Sequence, residues 1–348
     1  MTDLLALAAE LVDIPSVSLG ERAIADHLEA ALRDVPWLTV DRVGDNVVAR
    51  TDLGRDQRLI LAGHTDTVPA NGNEGARIDG DVLHGLGACD MKGGCAVFLD
   101  LARTVAAPAV DVTYVFYVAE EIAAEHNGLL QLFRERPELM AGDAAVLGEP
   151  TTADIEAGCQ GTLRARVTFA GARAHTARPW MGVNAIHRMG TLLAGLDAYE
   201  ARRPVIDGCE YREALQAVAV DGGVAGNVVP DRASVTLNHR FAPDRDGAAA
   251  EAHVRAVVGE HDGVTVEVLD VIEGAPPALD HPLLARLARG RAVRAKLGWT
   301  DVARMYEHGL PACNFGPGDP TIAHTRGEHV HRSEIEAVHA ALLAVLTS

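Results

Sequence analysis

The chain has 348 residues, which is more than one hydrophobic core usually organises and suggests about two domains. Hydrophobic residues make up 48% of the sequence and charged residues 23%, a globular composition that excludes disordered, collagen-like and coiled-coil chains. The formal net charge of −18, without any basic run, argues against nucleic acid and anionic membranes as partners.

The first residues lack the basic and apolar regions of a signal peptide, and no apolar stretch approaches the ~20 residues that span a bilayer. The five cysteines are odd in number and widely spread, so a disulfide framework is not expected. We therefore expect a cytoplasmic protein.

The first half of the chain alternates predicted strands with predicted helices. Ser18 and Glu21 form a capping-box pattern before an amphipathic helix, and a later helix over 91–106 follows a glycine-rich loop. The segment 112–119 is almost continuously apolar, as expected of a strand covered on both faces. This alternation predicts an α/β architecture. The other predicted strands are 40–50, 58–63 and 144–148.

The pattern changes near residue 162, where apolar and polar residues begin to alternate as in a half-exposed antiparallel strand. The elements from there to 276 follow the order βαββαβ, which predicts an inserted, ferredoxin-like α+β domain. Beyond it we predict a short strand at 311–315 and a last helix capped by Ser333 and Glu336. The expected domains are 1–161 with 277–348, and 162–276.

Acidic and histidine side chains stand where three predicted core strands end. His64 and Asp66 follow the strand 58–63, Glu120-Glu121 follows 112–119, and Glu149 follows 144–148. Ligand sites of open α/β sheets lie at the carboxyl ends of the strands, so these side chains are expected to converge. Asp90 lies in a glycine-rich loop just before a helix.

One imidazole and several carboxylates match a divalent ion such as Zn²⁺, with Co²⁺ or Mn²⁺ as alternatives. Asp66 is placed to accept the second ring N–H of His64, and one residue of Glu120-Glu121 can bind metal while the other takes a proton from water. Taken singly, each pair is usually a solvated surface feature. Cys89 and Cys95, which flank Asp90, are better explained as packing residues.

Five motifs occur here in the order and spacing of the zinc aminoacylase/carboxypeptidase G family of metallopeptidases, which the chain resembles over nearly its whole length. They are His64-Thr-Asp66-Thr-Val-Pro69, Gly85-Leu-Gly-Ala-Cys-Asp90-Met-Lys92-Gly-Gly94, Glu120-Glu121, Gly148-Glu149-Pro150 and Ala323-His324.

The resemblance implies a catalytic α/β domain with a mixed, mostly parallel central sheet and an inserted dimerisation domain. It implies two Zn²⁺ per chain, for which Co²⁺ could substitute, and a cis peptide after Asp90. One zinc would bind His64, Asp90 and Glu149, and the other Asp90, Glu121 and His324. His329 and His331 are nearby alternatives to His324.

The resemblance also implies catalytic roles for Glu120 as the general base, for Asp66, and for His175, which would reach into the active site of a second subunit. Substrate-contacting positions would be Asn227 and Arg240, and Arg178, Gly298 and Thr300 are further candidates. The resemblance further implies a small N-acylated amino acid as the substrate and a homodimer as the assembly.

Further stretches resemble one branch of this family, the actinobacterial desuccinylases; among them are Gly158-Cys-Gln-Gly-Thr-Leu163, Arg173-Ala-His175-Thr-Ala-Arg178 and Asn314-Phe-Gly-Pro-Gly-Asp319. This resemblance implies N-succinyl-LL-2,6-diaminopimelate as the substrate. Cys159-Gln160 stands where other desuccinylases have a basic pair, a departure that concerns the substrate more than the metals. The alternatives are a sister deacylase such as an acetylornithine deacetylase, a dipeptidase, and a non-catalytic metal or amino-acid binding protein. An unligated carboxylate at Glu120 argues against the last of these.

Overall fold

The computed structural model describes residues 2–348, which divide into two compact units. Unit 1 comprises the chain up to Gly158, Pro277–Arg294 and Asp301–Ser348, and unit 2 comprises Cys159–Pro276 and Ala295–Thr300. The sequence placed 159–161 and 295–300 with the first domain, whereas the structure groups both with the second. The short segment 295–300 has no composition that distinguishes it from its neighbours, so its assignment depends on tertiary contacts.

The α-helices are amphipathic or, in α3, buried over most of their length. They are α1 (Leu4–Val12), α2 (Arg22–Arg33), α3 (Gly93–Thr104), α4 (Gly128–Glu135), α5 (Ala185–Asp197), α6 (Gly247–Val258), α7 (Pro282–Ala288), α8 (Val302–Glu307) and α9 (Arg332–Leu346). Shorter helical turns lie at Ala88–Lys92, Ala124–His126, Pro137–Met140 and Pro179–Met181. None of the helices within 2–348 is both long and apolar enough to cross a membrane.

The strands divide between the two units and meet in several sheets. They are β1 (Thr39–Val43), β2 (Asn46–Arg50), β3 (Arg58–His64), β4 (Arg77–Asp79), β5 (Val82–His84), β6 (Asp111–Tyr117), β7 (Ala144–Leu147), β8 (Ile155–Ala157), β9 (Gly161–Ala170), β10 (Ala174–His175), β11 (Val205–Ile206), β12 (Cys209–Glu210), β13 (Ala214–Gly222), β14 (Val228–Val229), β15 (Arg232–Phe241), β16 (Val264–Ile272), β17 (Val293–Ala295), β18 (Ala312–Asn314) and β19 (His329–His331).

The main sheet of unit 1 has the order β1-β2-β6-β3-β7-β18-β8-β17. Its central strands β6, β3, β7 and β18 run parallel, and the neighbouring strands β2 and β8 are antiparallel to them. Every residue of β6 is buried, which confirms the expectation of a strand covered on both faces. Because β6, β3 and β7 are parallel neighbours, their carboxyl ends lie side by side, which also confirms the expected convergence.

The core of unit 1 is formed by apolar side chains of this sheet and of α1, α2, α3, α7 and α9. In α3, ten consecutive residues from Gly93 to Ala102 are buried, so this helix lies inside the unit rather than on its surface. The β5–β19 ribbon, extended by β4, pairs His84 with His329 beside the turn Ala88–Lys92.

Unit 2 contains an antiparallel sheet of order β13-β15-β9-β16, and its main elements follow the chain order β9, α5, β13, β15, α6, β16. Residues of β9 alternate between buried and partly exposed, as the sequence predicts. The buried face carries Leu163, Val167 and Phe169, which pack in one core with Met189 of α5 and Val254 of α6. The strand β13 is an edge of this sheet, and most of its side chains are exposed.

Both capping predictions at helix starts were wrong. The N-cap of α2 is Glu21, which makes no side-chain capping bond, and Ser18 donates its hydroxyl to Asp66 instead. The N-cap of α9 is His331, whose capping box includes Glu334 rather than Glu336. A Ser-x-x-Glu spacing predicts a cap only where tertiary partners do not compete for the same side chains.

Candidate active site

The strand ends of β3, β6 and β7 deliver the acidic and histidine side chains to one edge of the main sheet. His64 is the last residue of β3, Glu120 and Glu121 follow β6, and Glu149 follows β7. His64 and Glu149 are buried, whereas the two glutamates after β6 are partly exposed. The edge therefore combines buried ionisable groups with others that solvent reaches.

The loop that carries Asp90 is pressed against the same edge. The Asp90–Met91 peptide bond is cis, as the family resemblance implied, and α3 begins two residues later. A Cβ atom added at Gly94 would lie 2.4 Å from the carbonyl oxygen of Gly148, so the first turn of α3 contacts the end of β7 directly. Glycine is required here for that close approach of two backbones.

The carboxylate of Asp90 lies between two histidines, and each oxygen faces a different ring. Its Oδ1 atom is 3.1 Å from Nε2 of His64, and its Oδ2 atom is 3.3 Å from Nε2 of His324. The same Nε2 atom of His324 is 2.8 Å from Oε1 of Glu121. Ligand atoms of His64, Asp90 and Glu121 all lie within 4.8 Å of one another.

The ring orientation of His64 is fixed by Asp66, which faces the ring with both its backbone carbonyl and its carboxylate. Nδ1 of His64 lies 3.1 Å from the backbone carbonyl oxygen of Asp66 and 3.4 Å from its carboxylate. The carboxylate of Asp66 also accepts hydrogen bonds from the backbone N–H groups of Glu120 and Glu121, at 3.0 and 3.2 Å, and from the hydroxyl of Ser18. Asp66 thus orients the loop after β6 as well as the imidazole.

The protonation of the two histidines follows from these contacts. Burial opposes a charge on His64, but its hydrogen bonds with Asp66 and Asp90 outweigh burial and hold the pKa of His64 well above its usual value. Hydrogen bonds to Asp90 and Glu121 raise the pKa of His324 to about 10. Burial would raise the pKa of Asp90, but both histidines lower it. The arrangement favours positive charge between these side chains.

The surroundings of the Glu120 side chain favour its protonated form. Burial raises the pKa of Glu120 well above its usual value, although His64 opposes the shift, and the charges of Asp301, Glu149 and Glu121 raise it further. Within residues 2–348, the carboxylate of Glu120 makes no hydrogen bond. This carboxylate is therefore suited to exchange a proton near the converging ligands.

The sequence did not predict the supporting contacts of three acidic side chains, Glu21, Glu328 and Asp301. Glu21 is buried and accepts the backbone N–H of Ala119, at 3.1 Å. Glu328 accepts the backbone N–H groups of Cys89 and Asp90, and Asp301 accepts hydrogen bonds from the side chains of Asn127 and Arg304. The only available signal was an acidic residue in otherwise apolar or glycine-rich surroundings, which does not identify a partner far along the chain.

Three candidate residues of unit 2 lie at or beside the short antiparallel pair of β10 and β14. His175 pairs with Val228 across β10 and β14, and the backbone carbonyl of Asn227 accepts the N–H of Thr176, at 3.0 Å. The side chains of His175 and Arg178 are exposed. The segments that carry His175, Arg178 and Asn227 therefore lie side by side in unit 2.

The remaining candidates lie elsewhere in unit 2. Arg240 is half-buried on β15, where it pairs with Ala214 and Thr162 across the sheet. Gly298 is exposed and Thr300 is buried, and both belong to the segment 295–300. The carbonyl of Thr300 accepts a bond from the thiol of Cys159.

The sequence of the chain matches a known protein family. Residues 60–348 match the family model of peptidase family M20/M25/M40. The chain is 54% identical over 338 residues to the "Putative succinyl-diaminopimelate desuccinylase DapE" of Mycobacterium tuberculosis (strain ATCC 25618 / H37Rv), covering 96% of this chain and 95% of that one. It is 45% identical over 355 residues to the succinyl-diaminopimelate desuccinylase of Corynebacterium glutamicum, covering 99% and 96%.

A likeness in fold extends to more distant proteins. The aminopeptidase PepT of Bacillus cereus superposes with a TM-score of 0.78 at 20% identity, over 99% of this chain and 97% of that one. The match of the family model covers most of the chain, and the two desuccinylases cover nearly all of it. The chain therefore belongs to peptidase family M20/M25/M40.

Proposed function

We propose that this protein is a metal-dependent amidohydrolase that converts N-succinyl-LL-2,6-diaminopimelate and water into succinate and LL-2,6-diaminopimelate. Two relatives at 54% and 45% identity, both matched over nearly their whole length, carry desuccinylase names. The arrangement of Asp90 between His64 and His324 is the observation that carries the metal dependence.

The donor set fits a divalent cation. Nδ1 of His64 faces a backbone carbonyl, which can only accept, so this nitrogen carries the proton. The lone pair of Nε2 then faces the Oδ1 atom of Asp90 at 3.1 Å. Both atoms are hydrogen-bond acceptors, so a proton or a cation must lie between them. Imidazole nitrogen and carboxylate oxygen together suit Zn²⁺, and Co²⁺ is the expected substitute.

His64, Asp90 and Glu149 would hold one zinc ion, and Asp90, Glu121 and His324 the second, with Asp90 shared. The two oxygens of Asp90 already point to different histidines, which supports the shared role. When bound, the ions supply Lewis-acid chemistry that polarises a carbonyl and lowers the pKa of water.

Glu120 is the general base of the proposed reaction. Its carboxylate takes a proton from the water that attacks the amide carbonyl, and then delivers this proton to the leaving amine as the C–N bond breaks. Asp66 holds the backbone of Glu120 through the N–H bond at 3.0 Å, so the base is oriented before substrate binds. Asn227, Arg178, Arg240, Gly298 and Thr300 contact the substrate.

Unit 2 is the dimerisation domain in this proposal, and the partner's His175 donates a hydrogen bond to the oxyanion that forms on the substrate. Support comes from the edge strand β13, which presents unpaired backbone groups and leaves Val218 and Val220 58% and 56% exposed. An edge of this kind is suited to pairing with a second copy.

Succinate release by the zinc-loaded protein tests the substrate assignment. Turnover of N-succinyl-LL-2,6-diaminopimelate is expected to exceed that of N-acetylornithine and of dipeptides by at least about a hundredfold in kcat/KM, and metal analysis should give two ions per chain. Preference for the acetyl compound or for dipeptides would replace the desuccinylase with a sister deacylase or dipeptidase. The same preparation without added metal is the control.

A further inference from the structure

Glu328 lies in the segment between His324 and β19, and its side chain is 1% exposed. Its Oε1 atom accepts the backbone N–H of Cys89 at 3.2 Å and that of Asp90 at 3.3 Å, and the Cys89 thiol lies 3.6 Å away. A buried carboxylate therefore holds the backbone of the residue whose own carboxylate faces two histidines.

The segment 324–328 contacts the Asp90 loop at three points. His324 reaches the Oδ2 atom of Asp90, whereas Glu328 holds the Asp90 backbone. The carbonyl oxygen of Glu328 also accepts the N–H of Gly85, at 3.2 Å, where the glycine-rich loop begins. One short segment thus determines where the Asp90 side chain and backbone lie relative to His324.

Stability alone gives a poor account of an acid at this position. Burying a carboxyl is costly, and apolar residues of similar volume are often at least as stabilising as buried charged groups. Within the described chain, the second oxygen of Glu328 is buried without a hydrogen-bond partner, so burial is only partly compensated.

We propose that Glu328 is a positioning residue, which holds Asp90 in the orientation that lets its two oxygens serve two metal ions. The inference depends on the proposed function, because it takes Asp90 as a ligand. Residues that orient metal ligands typically change metal affinity about 10- to 100-fold when they are replaced. The acceptor atom at the end of a glutamate-length side chain is the feature that matters.

Metal affinity of three variants tests this role, measured by competition with a chelator and by the visible spectrum of bound Co²⁺. Glu328→Leu removes the acceptor and should weaken metal binding about 10- to 100-fold, with an altered Co²⁺ spectrum. Glu328→Gln keeps an acceptor of the same length and should bind metal within about threefold of wild type. Glu328→Asp keeps the charge but withdraws the acceptor, so it should resemble Glu328→Leu.

Asp111 provides a matched control within unit 1. It is 3% exposed and accepts the backbone N–H groups of Leu53 and Arg55, at 2.8 and 2.9 Å, but touches none of the proposed ligands. Asp111→Asn should lower the melting temperature without changing metal affinity or the Co²⁺ spectrum. A loss of affinity in this control would mean that general destabilisation explains the result at Glu328.

The outcomes separate the inference from the proposed function. Wild-type protein that binds no metal would refute the function, whatever the variants do. Wild-type binding with unchanged affinity in Glu328→Leu would refute only the positioning role. If Glu328→Leu does not fold, equal affinity losses in Glu328→Gln and Glu328→Asp would also refute it, because the acceptor is retained in one and withdrawn in the other.

Discussion

The candidate residues of unit 1 and those of unit 2 are supported in opposite ways. In unit 1, buried carboxylates hold the backbone on both sides of the site, as Asp66 does for Glu120 and Glu121. In unit 2, His175 is exposed on a two-residue strand, and among the described residues its ring accepts a hydrogen bond only from the nearby N–H of Ala177, at 3.0 Å.

This difference divides the proposed chemistry. A preorganised set of ligands and a base must be rigid, since a shift of about 1 Å can cost a hundredfold in rate. A group such as His175, exposed on a short strand, would gain its precise position in the proposed reaction only when substrate or a second subunit is present. In the proposed reaction, unit 1 would therefore carry the bond-breaking step, and unit 2 would carry substrate recognition and the stabilisation of developing charge.

Glu120→Gln should have the largest effect, because it removes the base while leaving the ligands in place. We expect kcat to fall at least about a thousandfold, with metal content still near two ions per chain. Steady-state kinetics and elemental analysis measure the two quantities. Loss of a metal ion from Glu120→Gln would reverse the roles of Glu120 and Glu121.

Subunit mixing tests whether unit 2 acts across a dimer. Inactive Glu120→Gln and inactive His175→Ala chains should regain activity when they exchange subunits. Each mixed dimer would contain one site with an intact Glu120 and the partner's His175, so up to about half of the sites in it would work. Mixing each variant with itself is the control. Confirmed mixed dimers without activity would confine His175 to its own chain.

Arg240→Ala should have a moderate and substrate-dependent effect. Charge-assisted hydrogen bonds are worth about 1.5–3 kcal/mol, so kcat/KM for the succinylated substrate should fall about ten- to a hundredfold. The loss should be much smaller for a monocarboxylic N-acetyl amino acid, because its acyl group lacks the carboxylate of the succinyl group. Equal losses on both substrates would assign Arg240 to the shared α-carboxylate or to the stability of β15.

The sequence predicted the candidate ligands and base at the strand ends of unit 1 better than the side chains that support them. Strand ends could be located because β3 and β6 are short apolar runs followed by ionisable residues, and parallel neighbours bring such ends together. The partners of Glu21 and Glu328 lie 98 and 238–239 positions along the chain. No local periodicity encodes such contacts, so Glu21 was interpreted as part of a cap.

Unit 2 also contains a buried group that should link its stability to pH. His239 on β15 is fully buried, with Nδ1 3.0 Å from the carbonyl oxygen of Ala214, and its Nε2 atom has no hydrogen-bond partner among the described residues. Burial lowers the pKa of His239, although Glu213 opposes the shift, and His253 contributes to the lowering. His239 is therefore neutral in the folded protein.

Because the pKa of His239 is lower in the folded than in the unfolded state, the unfolded state takes up this proton first as the pH falls below about 6.5. His239 should thus reduce the free energy of unfolding on acidification, by up to about 1.4 kcal/mol per pH unit until its folded pKa is reached. His239→Asn, which keeps a donor toward Ala214, should lessen the fall in melting temperature between pH 7.5 and 5.5 by about 2–4 °C. The exposed His261→Asn is the control, and an equal change in both variants would contradict this account.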